Sequence, residues 1–297
     1  MGAACSRLFE EGPSSVPRGW PVLSVLGFMQ GSEKMSRLPL TIEQPAYFGR
    51  LSTEETTHWW SHGMWDFAEA LLAPWIRRGE SLRVVDVGCG TGLNSRRLAS
   101  LSGVGMVVGL DRSPIALSFA TRQASPGKTV PWMKGDALKL PFPDRCFDLV
   151  VSFDVIQHLE PADRVNFLRE LVRVTREGGR LLLRSNGRGA RIAEGTALVA
   201  FRIHELRDLL VDSGWCVERA THGNFTGSLL QEIRGRFLPG RHVAHPGGAG
   251  LCLKTPPPMV NSVMRWIAWW EARLVGSLQI NLPFGHSTFV LARREAS

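Results

Sequence analysis

Val84-Val85-Asp86-Val87-Gly88-Cys89-Gly90-Thr91-Gly92 is the stretch that decides the fold. It completes an apolar run, Leu82–Val87, interrupted by Arg83 and Asp86, then places glycines at every second position. The amphipathic segment Leu93–Leu101 follows at once. The pattern reads as buried strand, tight turn and helix. Glycine tolerates the unusual dihedrals of such a turn and lets backbone amides approach a ligand closely. The helix start behind the turn favours negative charge. An amino-acid carboxylate suits those amides as well as a phosphate does, and Asp86 can answer a nearby ammonium, directly or through water. The spacing D-x-G-x-G-x-G is not the dinucleotide fingerprint, because Leu93 stands where G-x-G-x-x-G needs glycine.

Working outward, strands and helices alternate. Gly105–Leu110, Thr129–Lys134, Phe147–Phe153, Arg180–Arg184 and Cys216–Ala220 read as strands; Pro114–Arg122, Pro161–Thr175 and Ile203–Ser213 read as helices. This alternation specifies a mostly parallel sheet covered on both faces, with right-handed crossovers. Before it, Ile42–Ile76 reads as helical, with Trp59, Trp60, Met64, Phe67, Ala68, Leu71 and Leu72 at spacings of three and four. After it comes an excursion, His222–His286, with a Gly/Pro-rich loop (Pro239 to Gly250), the run Pro256-Pro257-Pro258 and a helix from about Val260 to Leu278. That helix is expected to form a lid or cap on the sheet, with docking on a membrane surface as the sharper alternative. Ser287–Ala292 is one more strand. The expected organisation is a disordered leader over 1–40, a helical cap over 41–81, a core over 82–221 plus 286–295, and a helical lid over 222–285.

Composition narrows the class. The chain has 297 residues, 44% of them apolar, enough for one large α/β domain with an insertion. The formal charge is +8, and scattered Arg rather than Lys/Arg blocks carry it, so a solvated surface is the plain reading and nucleic acid is disfavoured. Cys5, Cys89, Cys146, Cys216 and Cys252 form no C-x-x-C pair, which fits free thiols in a reducing cytosol and no metal centre. No run of about 20 uncharged apolar residues is present, and no secretory signal opens the chain. MGAACS matches the myristoylation pattern at Gly2 and Ser6; the plainer expectation is a disordered leader, or translation from Met35. A cytoplasmic protein with peripheral membrane contact at most is expected.

Two more carboxylates close strands. Asp111 follows the glycine turn by about 20 residues, the usual position for gripping ribose hydroxyls; Asp111-Arg112-Ser113-Pro114 also suits a helix cap. Asp136, in Gly135-Asp136-Ala137, can accept from an adenine amino group or sit in an exposed turn.

With GDALKLPFPDRCFDLVVSFDVIQHL (Gly135–Leu159), REGGRLLL (Arg176–Leu183) and FRIHELRDLLVDSGWCVE (Phe201–Glu218), these features resemble the class I S-adenosylmethionine-dependent methyltransferases of the type 11-like group. The resemblance implies an α/β, Rossmann-like seven-stranded sheet whose last strand is antiparallel, and S-adenosyl-L-methionine as cofactor. It implies that Asp86, Gly88, Cys89, Gly90 and Gly92 hold the methionine part, Asp111 with Arg112 the ribose, and Asp136 with Ala137 the adenine. Phe153, Asp154, Gln157 and His158 would lie beside the sulfonium. The flanks, Glu54-Glu55-Thr56-Thr57-His58-Trp59-Trp60 and Pro283-Phe284-Gly285-His286-Ser287, resemble a narrower bacterial group associated with envelope glycan or lipid pathways. The segment Ser185–Val199 departs from that group by lacking its aromatic and His residues.

Methyl transfer from a sulfonium needs alignment and dryness above all. A base is required only if the acceptor must lose a proton. His158 is the first candidate for that base, since imidazole titrates near working pH; packing or a hydrogen bond to the donor is the alternative. His58, His62, His204 and His286 are lesser candidates, and Arg184 and Asn186 are placed to orient a polar acceptor. No N-P-P-Y or D-P-P-Y follows the fourth strand, and no carboxylate and His cluster has metal-ligand spacing. Both points favour a small-molecule or lipid-linked acceptor. RNA methylation and donor binding without turnover are the alternatives, and oligomeric state is open.

Overall fold

The computed structural model describes residues 44–76, 81–123, 129–187, 199–237 and 255–295. Its seven strands are β1 (Leu82–Val87), β2 (Val104–Asp111), β3 (Trp132–Lys134), β4 (Phe147–Phe153), β5 (Thr175–Asn186), β6 (Trp215–Gly223) and β7 (Ser287–Arg294). They form one sheet in the order β3-β2-β1-β4-β5-β7-β6. β1 to β5 pair in parallel, and β7 is antiparallel to both β5 and β6. This is the Rossmann-like sheet with an antiparallel last strand that the sequence led us to expect.

Alternation along each strand divides the core in two. Val84, Leu149, Leu182 and Phe289 face α2 (Trp59–Ile76), α3 (Leu93–Ser100) and α8 (Pro258–Ser277). Val85, Val150, Leu181, Leu183 and Val290 face α5 (Pro161–Val174) and α6 (Ile203–Asp212). With period-two side chains and helices on both faces, the central strands are mostly apolar, and the buried carboxylates in them are Asp86 and Asp148. α4 (Pro114–Arg122) begins on proline, and its Ser113 hydroxyl accepts the Ala116 N–H at 3.2 Å.

Four local expectations differ from the structure. The single helix over Ile42–Ile76 is two, α1 (Pro45–Glu54) and α2, broken at Glu55–His58. Buried His58 makes the break, accepting the Trp60 N–H on Nδ1 at 3.1 Å and so capping α2. The strand over Thr129–Lys134 pairs only from Trp132, because Pro131 has no N–H to donate, although its carbonyl accepts from Gly109 at 2.9 Å. β5 extends back to Thr175 through a bulge that contains Gly178 at φ 71°. An additional helix, α7 (Phe225–Phe237), was not anticipated from a segment carrying Gly227 and Gly235. Its first-turn amides are capped by tertiary structure. Buried Glu271 of α8 accepts the Phe225 N–H at 2.9 Å and the Thr226 N–H at 2.7 Å.

α8 runs alongside α2 in the same direction. A Cβ on Gly63 would come within 2.6 Å of the Ala268 Cβ, and one on Gly276 within 2.9 Å of the Ala70 Cβ. The Trp59 N–H donates to Asn261 Oδ1 at 2.9 Å, and Asn261 Nδ2 donates to the Thr57 carbonyl at 2.9 Å, tying the two helix starts together. The leader over 1–40, the loop Pro239 to Gly250 and most of Ser185–Val199 lie outside the described residues.

Candidate active site

The strand order reverses between β1 and β4, and the crevice above their carboxyl ends is where open α/β sheets bind ligands. A cavity of about 130 Å³ sits there. It is lined by Asp86, Gly88, Cys89, Gly90, Thr91, Leu93 and Asn94 from β1 and the turn into α3, by Phe153, Asp154 and Arg184 from the ends of β4 and β5, and by Leu51, Glu55, Trp60 and Ser61 from the N-terminal helices. The space admits an amino-acid-sized group.

The glycines are required by geometry. Gly88, Gly90 and Gly92 have φ of 80°, 56° and 80°. A Cβ on Gly88 would lie 2.1 Å from Val155 Cγ2, and one on Gly92 2.3 Å from the Trp132 ring, whereas Gly90 faces open space. The loop differs from the sequence expectation in one respect. Gly88 and Cys89 donate to the Leu110 carbonyl at 2.7 and 3.0 Å, Gly90 to Asp111 Oδ2 at 2.8 Å and Gly92 to the Cys89 carbonyl at 2.9 Å. These four amides are internally satisfied, so the donors left for an anion are at Thr91 and in the first turn of α3, at Leu93 and Asn94, where no intrahelical acceptor precedes them.

What the loop presents instead is acid. Asp86 is buried and accepts from the Ser95 hydroxyl at 2.6 Å. Burial, with Asp111 nearby, pushes its carboxyl up to about 7 against the Ser95 hydrogen bond and the Arg184 charge. Glu55 reaches in from the α1–α2 junction and accepts from the Thr91 hydroxyl; burial raises its pKa too. Asp154 sits at φ 61° and accepts from the Arg184 guanidinium through both carboxylate oxygens, the Nε contact being 3.3 Å. Arg184 is buried between the rings of Trp60, 4.9 Å away, and Phe153, 4.8 Å away. Three carboxylates, Glu55, Asp86 and Asp154, and one guanidinium, Arg184, thus line the cavity, an acceptor set suited to a cationic ligand.

The other expected residues spread outward from this cavity. Asp111 accepts from Gly90 and Ser113, each at 2.8 Å, so it is both ribose-facing candidate and turn former. Arg112 is exposed beside it. Asp136 is exposed and accepts the Leu138 N–H at 2.9 Å in the turn containing Ala137. Gln157 is not among the residues lining the cavity; it is buried, and its Oε1 accepts from the Asn186 N–H at 2.8 Å and Ser185 Oγ at 3.3 Å. That fastens the 3-10 turn Ile156–His158 to the end of β5. His158 is half-buried, and its pKa is lowered by burial against the opposing charge of Asp154. His58 is the α2 cap, His62 bonds the Thr56 carbonyl at 2.9 Å, and His286 bonds Ser228 and Asn224. His204 is exposed. Among the described residues, no group of three or more His, Cys, Asp or Glu is placed to hold a metal ion.

Sequence reasoning did not assign Glu55, Trp60 or Thr91 to the site. A signal for Trp60 existed: it continues the stripe Met64, Phe67 and Leu71 one turn beyond the sheet edge.

Comparison with known proteins agrees with this architecture. Residues 85–183 match the family model described as a methyltransferase domain. The chain is 40% identical over 104 residues to the chloroplastic tocopherol O-methyltransferase of Arabidopsis thaliana, covering 34% of this chain and 29% of that protein. It is 33% identical over 138 residues to the 27-O-demethylrifamycin SV methyltransferase of Amycolatopsis mediterranei, covering 41% and 49%. The chain therefore spans about a third of the length of the first relative and about half of the second. A chain of the complex between the Haloferax volcanii Trm112 methyltransferase activator and a methyltransferase shares the fold, with a TM-score of 0.55 and 21% identity over 87% of this chain and 99% of that one.

Proposed function

We propose that this chain, whose residues 85–183 match a methyltransferase-domain family model, is a class I S-adenosylmethionine-dependent methyltransferase that transfers a methyl group to a small-molecule acceptor. The observation that carries the reading is the acidic cavity at the strand-order reversal, joined through the Gly90 N–H to the Asp111 carboxylate. The donor's methionine end carries an ammonium and a sulfonium, and Asp86, Glu55 and Asp154 supply the opposing charge. The α3 amides at Leu93 and Asn94 face its carboxylate. Asp111 with Arg112 takes the ribose, and Asp136 with Ala137 the adenine. Gly88, Cys89, Gly90 and Gly92 keep the loop low enough for this approach.

When bound, the donor supplies an activated methyl group whose bond to sulfur breaks as the acceptor's lone pair takes the carbon. The protein's contribution is alignment and exclusion of water. Phe153 and Trp60 wall the reacting end. Arg184, held by Asp154 and two rings, is positioned to orient a polar acceptor atom. His158, its pKa lowered, is neutral near pH 7 and able to take the proton of a hydroxyl acceptor. Relatives named for methylating tocopherol and 27-O-demethylrifamycin SV support a small-molecule acceptor. The His-Trp-Trp and Pro-Phe-Gly-His-Ser flanks support the narrower reading, a lipid-linked or envelope glycan precursor met by peripheral contact with a membrane. Calorimetry with S-adenosylmethionine, followed by transfer of label into low-molecular-weight and lipid fractions, tests both levels. Absence of donor binding refutes the proposal.

A further inference from the structure

α8 is a 20-residue helix, about 30 Å long, with two apolar sides. Its inner side, Ala268, Ala272 and Val275, is buried against α2 and the sheet. Its outer side should be polar, as on any helix that faces water. It instead exposes Met259, Val263, Trp266, Trp270 and Leu274, which follow one another at helical spacing of three and four, with Trp269 alongside. Met259 is 75% exposed and Trp266 62%. The three indoles pack on one another, Trp266 and Trp270 at 6.1 Å and Trp269 and Trp270 at 5.1 Å, so they form one shelf rather than scattered side chains. The apolar surface continues past the helix end to Leu278 and Ile280.

Charge selects among possible occupants. The exposed charges of α8 are Arg265 and Arg273, and the Arg273 guanidinium lies 5.0 Å over the Trp269 ring. The helix's one acid, Glu271, is buried and bonded to the α7 amides. On the helices packed against α8 the carboxylates are Asp66 and Glu69 of α2 and Glu232 of α7. A second copy docking about a two-fold axis would bring together two helix faces that each carry Arg265 and Arg273 and no exposed acid of α8. An anionic bilayer meets both features. Indoles and aliphatic chains enter the boundary between headgroups and acyl chains, and guanidinium groups remain at the phosphates. The formal charge of +8 attracts the chain to such a surface. Spanning is excluded for α8, since among the described residues no helix is long and apolar enough to cross a membrane.

We infer that the outer face of α8, centred on Met259, Val263, Trp266 and Trp270, is a docking surface on which the protein lies flat against an anionic phospholipid bilayer. The start of α8 is bonded to residues 54–59: Asn261 to Thr57 and Trp59, and Thr255 to Glu54. Glu55, Trp60 and Ser61, which line the cavity, belong to the same corner. Docking therefore brings the cavity rim to the lipid surface, where a membrane-dissolved acceptor resides. This step rests on the methyl-transfer reading; the docking itself does not.

The test is co-sedimentation of the full chain with vesicles of phosphatidylglycerol and phosphatidylcholine, against vesicles of phosphatidylcholine alone. Titration with S-adenosylmethionine on the same protein is the second readout. Binding to the anionic vesicles is expected. The variant W266S/W269S/W270S should lose about tenfold or more of it, and R265Q/R273Q should lose its dependence on salt, both with unchanged donor affinity. No sedimentation with anionic vesicles at low salt overturns the proposal, as does undiminished binding of the Trp variant. So does a dimer in solution that the Trp variant dissolves, because a second copy would then cover the face. Donor affinity without vesicle binding refutes docking alone, and vesicle binding without donor affinity refutes methyl transfer alone.

Discussion

Asp86 gives a quantitative prediction, because the same carboxylate acts in opposite directions on stability and on cofactor binding. Burial holds its pKa up to about 7, so near neutral pH it is half ionised in the free protein. If the ionised form is the one that answers the donor ammonium, affinity follows its population. At pH 7 that population is about one half and at pH 5 about one hundredth, so donor affinity should fall about fiftyfold between them. Glu55, also raised by burial, steepens the fall. Above pH 7.7 or so the donor's own α-amino group starts to lose its proton, which sets an upper limb. Stability of the free protein runs the other way. A carboxylate whose pKa rises on folding stabilises the fold below the ordinary carboxylate range, near pH 4, and that contribution disappears as pH rises through about 7. Calorimetric titration at pH 5, 6, 7 and 8, beside thermal unfolding of the free protein at the same values, measures both. Asp86→Asn keeps the shape and an acceptor for Ser95 and should flatten the part of each curve that Asp86 causes. Equal donor affinity at pH 5 and 7, or an Asn variant with the full slope, would refute the argument.

Three substitutions probe other features. Gly88→Ala meets both a φ of 80° and Val155 Cγ2 at 2.1 Å; donor binding should fall by 100-fold or more, from about 3 kcal/mol of strain and clash, and adding Val155→Ala should recover the steric part only. Gly63→Leu forces α2 away from Ala268, so a loss of about 1–3 kcal/mol and a Tm several degrees lower are expected by calorimetry, with donor affinity preserved at temperatures where the variant is folded. Glu271→Ala leaves the Phe225 and Thr226 amides without their acceptor; hydrogen exchange across α7 should accelerate by about tenfold or more, while amides of β1 and β4 keep their protection.

The core was legible because its information is local and periodic. Leu82–Val87, Phe147–Phe153 and Pro114–Arg122 carry their own limits in glycine, proline and apolar runs, and they fold within those limits. What escaped depends on residues far apart in the chain. α7 is held by Glu271, 46 residues from Phe225, and nothing within its own stretch announces a helix. Gln157 sits among residues that the family motif places at the cofactor, yet its amide oxygen binds the end of β5, a pairing visible only once the strands are aligned. Glu55 likewise reads as a surface acid until the break at His58 turns it toward Thr91. The acidic carboxylates at strand ends were readable from position alone, whereas the internal bonding of the glycine-loop amides was not.

The parallel seam between α2 and α8 has a consequence for how the protein is made. Trp59 and Asn261, whose bond closes that seam, are 202 residues apart. During synthesis α2 emerges early, with Met64, Phe67 and Leu71 facing a sheet not yet assembled, and its second partner leaves the ribosome only after β6. The glycines at 63 and 276 make the late joining demanding, since the two backbones must come almost into contact before either small residue is covered. Nascent chains halted before residue 258 would thus display an apolar groove that chaperones can recognise, and completion of the last helix would be the event that releases them.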